Sequence, residues 1–306
     1  MNRNLFIITS AMLAVISVSA LGAAWEFNRV DRDVWLAIGT NAEIVGGNVG
    51  IIATPEGLVL VDTGGTVRAT QLLLEQVARE IDQPVRYVIN THFHHDHVGG
   101  NAVFSPEVKI VSHRLTREGL ERHGREYVSI QRHNAGAQIT QLTHRLSLTP
   151  NPGEKREIQA SIGRLVRYRE ALGKTTIRLP DITFDSEFRL HLGGMEIVCI
   201  WPGKGHSDGN ALVHLPEKKL LLTGDYLLDT IPYMGDASLT EWAEGLEKLK
   251  PLDFKLILPG HGLPFDNRER IDDLQGYIND LMAEVTELTK RRTTLAEVLT
   301  QVELYP

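Results

Sequence analysis

The chain has 306 residues, 42% hydrophobic and 23% charged, with a net charge of −7 and a single cysteine. That length holds one large domain or two ordinary ones, and the composition is that of a folded globular protein. The acidic balance disfavours a polyanionic partner such as nucleic acid, and one cysteine excludes an intramolecular disulfide.

The first residues form a three-part pattern. Asn2-Arg3-Asn4 is a short positive stretch, Leu5 to Val18 is nearly all apolar, and Ser19 to Ala24 supplies small residues. Secretory signals have this order, and the run is too short and too poorly flanked for a stable membrane-spanning helix. Residues 1–24 are expected to be a signal peptide cleaved between Ala20 and Ala24, in preference to an uncleaved anchor. A periplasmic or secreted address follows, with 25–306 as the domain.

Strand-like runs then cover Val34–Ile38, Asn48–Thr54 and Gly57–Asp62, the last two joined by turn residues at Pro55-Glu56. Thr66–Asp82 carries Leu72, Leu73, Val77 and Ile81 at helical spacing, with Pro84 beyond its end. The strand Val85–Ile89 delivers the chain to Asn90–Gly100, which reads N-T-H-F-H-H-D-H-V-G-G. A further short strand is expected at Val108–Ser112. From Arg114 to about Leu172 the chain becomes rich in Arg, Glu, Gln and His. Helical segments are expected around Arg114–His123, Val128–Leu142 and Lys155–Leu172, interrupted at Asn151-Pro152-Gly153. Too polar for a core of its own, this stretch reads as a helical insertion, serving as a lid or pocket wall. Its His113, His123, His133 and His144 read as surface or packing residues.

β structure resumes at Ile182–Phe184, Phe188–Leu192, Met195–Trp201, Ala211–Leu215 and Leu220–Thr223. Ser238–Leu249 reads as a helix with Ser238 and Glu241 as a capping box. Phe254–Leu258 is the last expected strand, followed by a long helix at Arg268–Lys290 and a short one at Leu295–Val302. Cys199 sits in a strand-like run and reads as a small core residue. Strand, helix, strand and site-bearing loop in this order suit an α/β layer architecture.

Four histidines and an aspartate within six positions, His92 to His97, are costly unless something binds them. Imidazole and carboxylate are the ligands that zinc and similar metals take. Three later loops at strand ends each hold another candidate ligand: His206, Asp225 and His261. In this combination the chain resembles the metallo-β-lactamase superfamily. His92, His94, Asp96 and His97 match its His-x-His-x-Asp-His motif, His206, Asp225 and His261 match its later motifs in order, and Asp62 matches an acidic residue ending an early strand. The likeness runs from about Val34 to Leu263, outside the insertion.

The resemblance implies an αββα sandwich with a two-metal site at one edge of the paired sheets. Carried over by position, His92, His94 and His206 hold one metal, Asp96, His97 and His261 the second, and Asp225 bridges them. Two zinc ions are the expected cofactors, and the same ligand set also accepts iron or manganese. The implied chemistry is attack by a metal-bridging hydroxide on a small ester, lactone, lactam or thioester, with Asp96 orienting the water or moving its proton. His95 matches no ligand position and is expected behind the ligands or facing solvent. Asp62 is expected to orient the loop by hydrogen bonds. Asp208 and Asn210 read equally as turn residues or substrate contacts.

Where zinc β-lactamases with a cysteine ligand place that cysteine, this chain has Asp225. The set is more similar to glyoxalase II, lactonases and related esterases, which puts efficient β-lactam hydrolysis in doubt. A diiron oxidoreductase relative would carry glutamate in place of His94. A nuclease of the same superfamily would need a basic channel, which neither net charge nor address suggests, and a metal-binding module without catalysis would commonly have lost ligands, of which none is missing. The expected partner is a small molecule, with no stable membrane insertion after signal cleavage.

Overall fold

Twelve strands, six α-helices and two short 3-10 turns make up the computed structural model, which describes residues 23–291 together with 294, 297 and 298. Nearly all of the expected signal segment, and most of the expected helix at Leu295–Val302, lie outside the described residues. Among the described residues no helix is long and apolar enough to cross a membrane.

The first sheet contains β1 (Trp25–Asp31), β2 (Val34–Gly39), β3 (Val49–Thr54), β4 (Gly57–Val61), β5 (Val85–Asn90), β6 (Lys109–His113) and β7 (Ile182–Phe184), in that spatial order. The second contains β8 (Glu187–Leu192), β9 (Met195–Ile200), β10 (Leu212–Leu215), β11 (Leu220–Gly224) and β12 (Leu256–Pro259), also in sequence order. Helix α1 (Val67–Glu80) covers the first sheet, and α5 (Leu239–Glu247) and α6 (Arg270–Lys290) cover the second. The short α2 (His95–Val98) carries the motif, and α3 (Arg114–Leu148) with α4 (Pro152–Lys174) forms the insertion.

Neighbouring strand residues serve different layers. In β3, Ile52 joins the core between the sheets while Ile51 packs under α1; in β4, Val59 and Leu60 divide the same way. In the second sheet Leu222 faces inward and Leu221 packs under α5 and α6. Strands buried on both faces read as continuous apolar runs, which is how Gly57–Val61 and Leu220–Leu222 look in the sequence. The result is the αββα sandwich. Cys199, fully buried between the sheets, is a core residue whose thiol burial pushes up to about 12.

Several expectations need correction. Trp25–Asp31, unread in the sequence, is an edge strand paired with β2, and Trp25 is its buried anchor. The first two expected helices of the insertion are one helix of 35 residues. Gly124 falls between them, but an interior glycine costs only about 1 kcal/mol and does not end a helix. Asn151 does cap the next one, accepting from the backbone N–H groups of Gly153 and Glu154. The capping box at Ser238 does not form: its Oγ lies 3.5 Å from the Glu241 carboxylate and caps no backbone N–H. The last strand begins at Leu256, two residues later than expected.

Candidate metal centre

Strands β4 and β5 run parallel, as do β11 and β12, so their C-terminal ends open side by side at one edge of the sandwich. Open α/β sheets place ligands outside such carboxyl ends. Asp62 follows β4, the motif follows β5, Asp225 follows β11 and His261 follows β12, while His206 arrives on the loop after β9. Residues more than a hundred positions apart thus converge. Three overlapping groups form there: His92, His94 and His206; His92, His97 and Asp225; and Asp96, His97 and His261. Within each group the donor atoms lie within 4.8 Å of one another. Asp225 sits between the other two, 3.7 Å from His206 Nε2 and 3.4 Å from His97 and His261 Nε2.

Each buried histidine is held by its other ring nitrogen. Asp62 accepts from the Thr91 N–H at 2.8 Å and the Thr91 hydroxyl at 2.7 Å, and lies 2.9 Å from His97 Nδ1. With the Thr91 proton given to Asp62, the Thr91 oxygen is free to accept from His92 Nδ1, 3.0 Å away. One carboxylate therefore orients two histidines and leaves their Nε2 atoms facing the centre, the orienting role expected of Asp62. His206 Nδ1 donates to the Tyr233 carbonyl at 2.7 Å. His94 is turned the other way: its Nε2 meets Asp236 at 3.0 Å and its Nδ1 faces His206.

The residues fit a cation. His92 Nε2 and Asp225 Oδ1 are buried without a hydrogen-bond partner, a costly condition unless a ligand completes them. Burial, reinforced by neighbouring histidines, pushes His92 well below its usual range and His206 down to about 4. Burial also opposes the charged forms of His97 and His261. The surrounding carboxylates outweigh it, holding His97 well above the usual range and His261 up to about 9. Neutral His92 and His206 beside the ionised carboxylates of Asp96 and Asp225 are what a divalent metal binds, displacing the protons left on His97 and His261. Gly260 is needed for this approach, because a Cβ there would strike the Asp225 carboxylate.

The family model for the metallo-beta-lactamase superfamily matches residues 43–261, spanning the whole of this centre. The chain belongs to the metallo-β-lactamase superfamily. Among its relatives is a linear primary-alkylsulfatase from a Pseudomonas species, 24% identical over 84% of this chain, of whose length the chain spans about half. A metallo-beta-lactamase type 2 from a Bacillus species is 26% identical over 78% of this chain and 76% of its own. A solved metallo-beta-lactamase from Pontibacter korlensis superposes with a TM-score of 0.61 at 22% identity, covering 83% of this chain and 99% of that one. As a member of this superfamily the chain has the class of a metallo-hydrolase, in keeping with the names of these relatives.

A cavity of about 1020 Å³ opens over the centre, and the insertion forms one wall through Tyr127, Ile130, Leu165 and Tyr168. The pocket-wall reading of that segment is therefore right. His95 is nearly buried rather than solvent-facing, 2.9 Å from the Tyr168 hydroxyl of α4. His113 packs flat on Trp201, while His133 and His144 are exposed, all away from the metal groups. Asn210 is a turn residue bonded to Ser207, and Asp208 pairs with Lys204. Sequence reasoning missed Asp236, which joins His94 to the Tyr127 hydroxyl at 2.9 Å. Nothing in Met234-Gly235-Asp236 distinguishes it from an ordinary turn.

Proposed function

We propose that the protein is an exported, metal-dependent hydrolase of small carbonyl substrates, with residues 1–24 as a cleaved signal. His92, His94 and His206 would hold one ion, Asp96, His97 and His261 the other, and Asp225 would be shared, zinc being the expected metal. Bound there, two divalent ions supply Lewis acidity and lower the pKa of water towards neutrality. The chain's own residues supply the rest. Asp62, Thr91, Asp236 and the Tyr233 carbonyl fix the imidazole orientations. Asp96, facing the cavity with Oδ2 3.1 Å from His261, is placed to orient the attacking water or help move its proton. The buried, unpartnered His92 Nε2 and Asp225 Oδ1 carry this reading.

The test is metal analysis of the purified full chain, then assays with a lactone, an arylester, a glutathione thioester and a chromogenic cephalosporin. Two equivalents of zinc with ester or lactone turnover support the reading. Iron with electron-transfer activity, or no bound metal, overturns it. The relative named as a β-lactamase favours a second reading, β-lactam hydrolysis, which the cephalosporin assay decides.

A further inference from the structure

The wall of the cavity, rather than its floor, points to a substrate class. Of the six large hydrophobic side chains that stand exposed among the described residues, three line this cavity: Ile130 at 42%, Ile231 at 49% and Tyr233 at 65% exposure. Ile130 rises from α3, and Ile231 and Tyr233 lie on the loop after β11, so two separate elements each bring exposed apolar side chains to the cavity. Deeper in, Leu165, Ala135 and Leu228 continue the apolar lining. Apolar side chains gathered around a concave opening mark a surface that a ligand covers.

Charge on the wall is one-sided. No lysine or arginine lines the cavity among the described residues, whereas Glu43 and Asp236 do. The adjoining recess holds Arg68, Arg167 and Lys174, none of which lines this cavity; Arg167 is engaged as well, its Nε 2.9 and 3.1 Å from the Glu43 carboxylate oxygens and a further nitrogen donating to the Ala42 carbonyl. A substrate anion placed away from the scissile bond would find no cationic partner and would face Asp236. Burying a charge without a partner is unfavourable, and covering an apolar side chain is favourable.

Resting on the hydrolase reading above, we infer that this centre serves an uncharged ester with a bulky apolar group seated between α3 and the 228–233 loop, and discriminates against substrates with a second, anionic group. Hydrolysis joins a water oxygen to the acyl carbon and breaks the carbon's bond to the alcohol oxygen. It leaves a carboxylate, an alcohol and one proton. The new carboxylate forms at the metal ligands, not on the cation-poor wall.

A matched pair of chromogenic esters tests this on the zinc-loaded full chain. Para-nitrophenyl hexanoate and the mono-para-nitrophenyl ester of adipic acid differ only by a terminal carboxylate. The neutral ester should show kcat/KM higher by about tenfold or more, the cost of one unpaired buried charge. Extending acetate to hexanoate should raise kcat/KM by up to roughly fourfold per buried methylene. Ile231→Lys, which places a cation at the cavity, should narrow the ratio between the paired esters. Equal turnover of the pair, or no gain with chain length, overturns the inference. If neither ester is cleaved while a lactone, thioester or cephalosporin is, the ester assignment fails and the hydrolase reading stands; if none is cleaved, the hydrolase reading itself fails. Calorimetric titration with hexanophenone and its ω-carboxylate, neither of which can be hydrolysed, then still decides the selectivity. Tighter binding of the ketone sustains it; equal or tighter binding of the acid, or no binding of the ketone, overturns it.

Discussion

The motif segment and the insertion face each other across one cavity and are built on opposite principles. Between Asn90 and Asn101 nearly every side chain is buried, and apart from the unpartnered His92 Nε2 the buried polar groups are tied down, as Asn90 is with Asn101 and Thr91 and His97 are with Asp62. In α3, by contrast, only five of 35 residues are buried. The insertion is tied to the motif chiefly by Phe93, whose ring packs with Leu120 of α3 and lies against Gly119. The motif side is held to the precision that metal chemistry requires. The insertion side needs only to present a surface, and its few buried contacts leave it the less stable of the two.

Substitutions can break this contrast at different depths. Asp225→Ala should abolish metal loading and turnover together, because it would remove the ligand proposed to be shared; retained turnover at normal rate would sink the ligand assignment. Phe93→Ala should lower stability by about 3 kcal/mol through lost burial, read as a shift in denaturant midpoint. Limited proteolysis should then cut first within 114–174. A loss confined to metal content, with the insertion still protected, would mean that Phe93 does not join the regions. Tyr127→Phe removes one hydrogen bond to Asp236 and should reduce kcat/KM roughly three- to tenfold, with metal content unchanged. An unchanged kcat/KM would show that the insertion shapes the cavity without steadying His94.

The smallest effect lies outside both regions and serves as a control. Lys218 reaches Asp31 at 2.5 Å and Asp33 at 3.2 Å. Burial opposes ionisation of Asp31, but Lys218 outweighs it and holds the carboxyl below its usual value. A depressed carboxyl stabilises the fold above its unfolded pKa and loses that contribution as pH falls through its folded value. Lys218→Met should therefore cost less than about 1 kcal/mol at pH 7, with the difference from the native chain shrinking below about pH 4. A gap that widens on acidification would contradict the pairing. Metal content and kcat/KM should not change.

Much of the centre was legible because ligand chemistry restricts residue type. Only a few side chains bind such metals, so His92, His94, Asp96, His97, His206, Asp225 and His261 stand out in the sequence wherever the chain later places them. The sandwich was legible for a related reason: strands buried on two faces are apolar throughout, and β3, β4 and β11 show it. Trp25–Asp31 escaped notice because an edge strand, covered on one side, carries too few apolar residues to stand out. The tertiary structure alone decided the rest. The parallel ends of β4 and β5, and of β11 and β12, bring seven separated side chains to one edge, and no local pattern records which distant loops become neighbours. It also decided that Asp236 and Tyr127 steady His94, and that the mouth of the cavity carries apolar groups with, among the described residues, no lysine or arginine in its lining. Orientation and selectivity depend on what lies opposite a residue in space, and residue type along the chain constrains that only weakly.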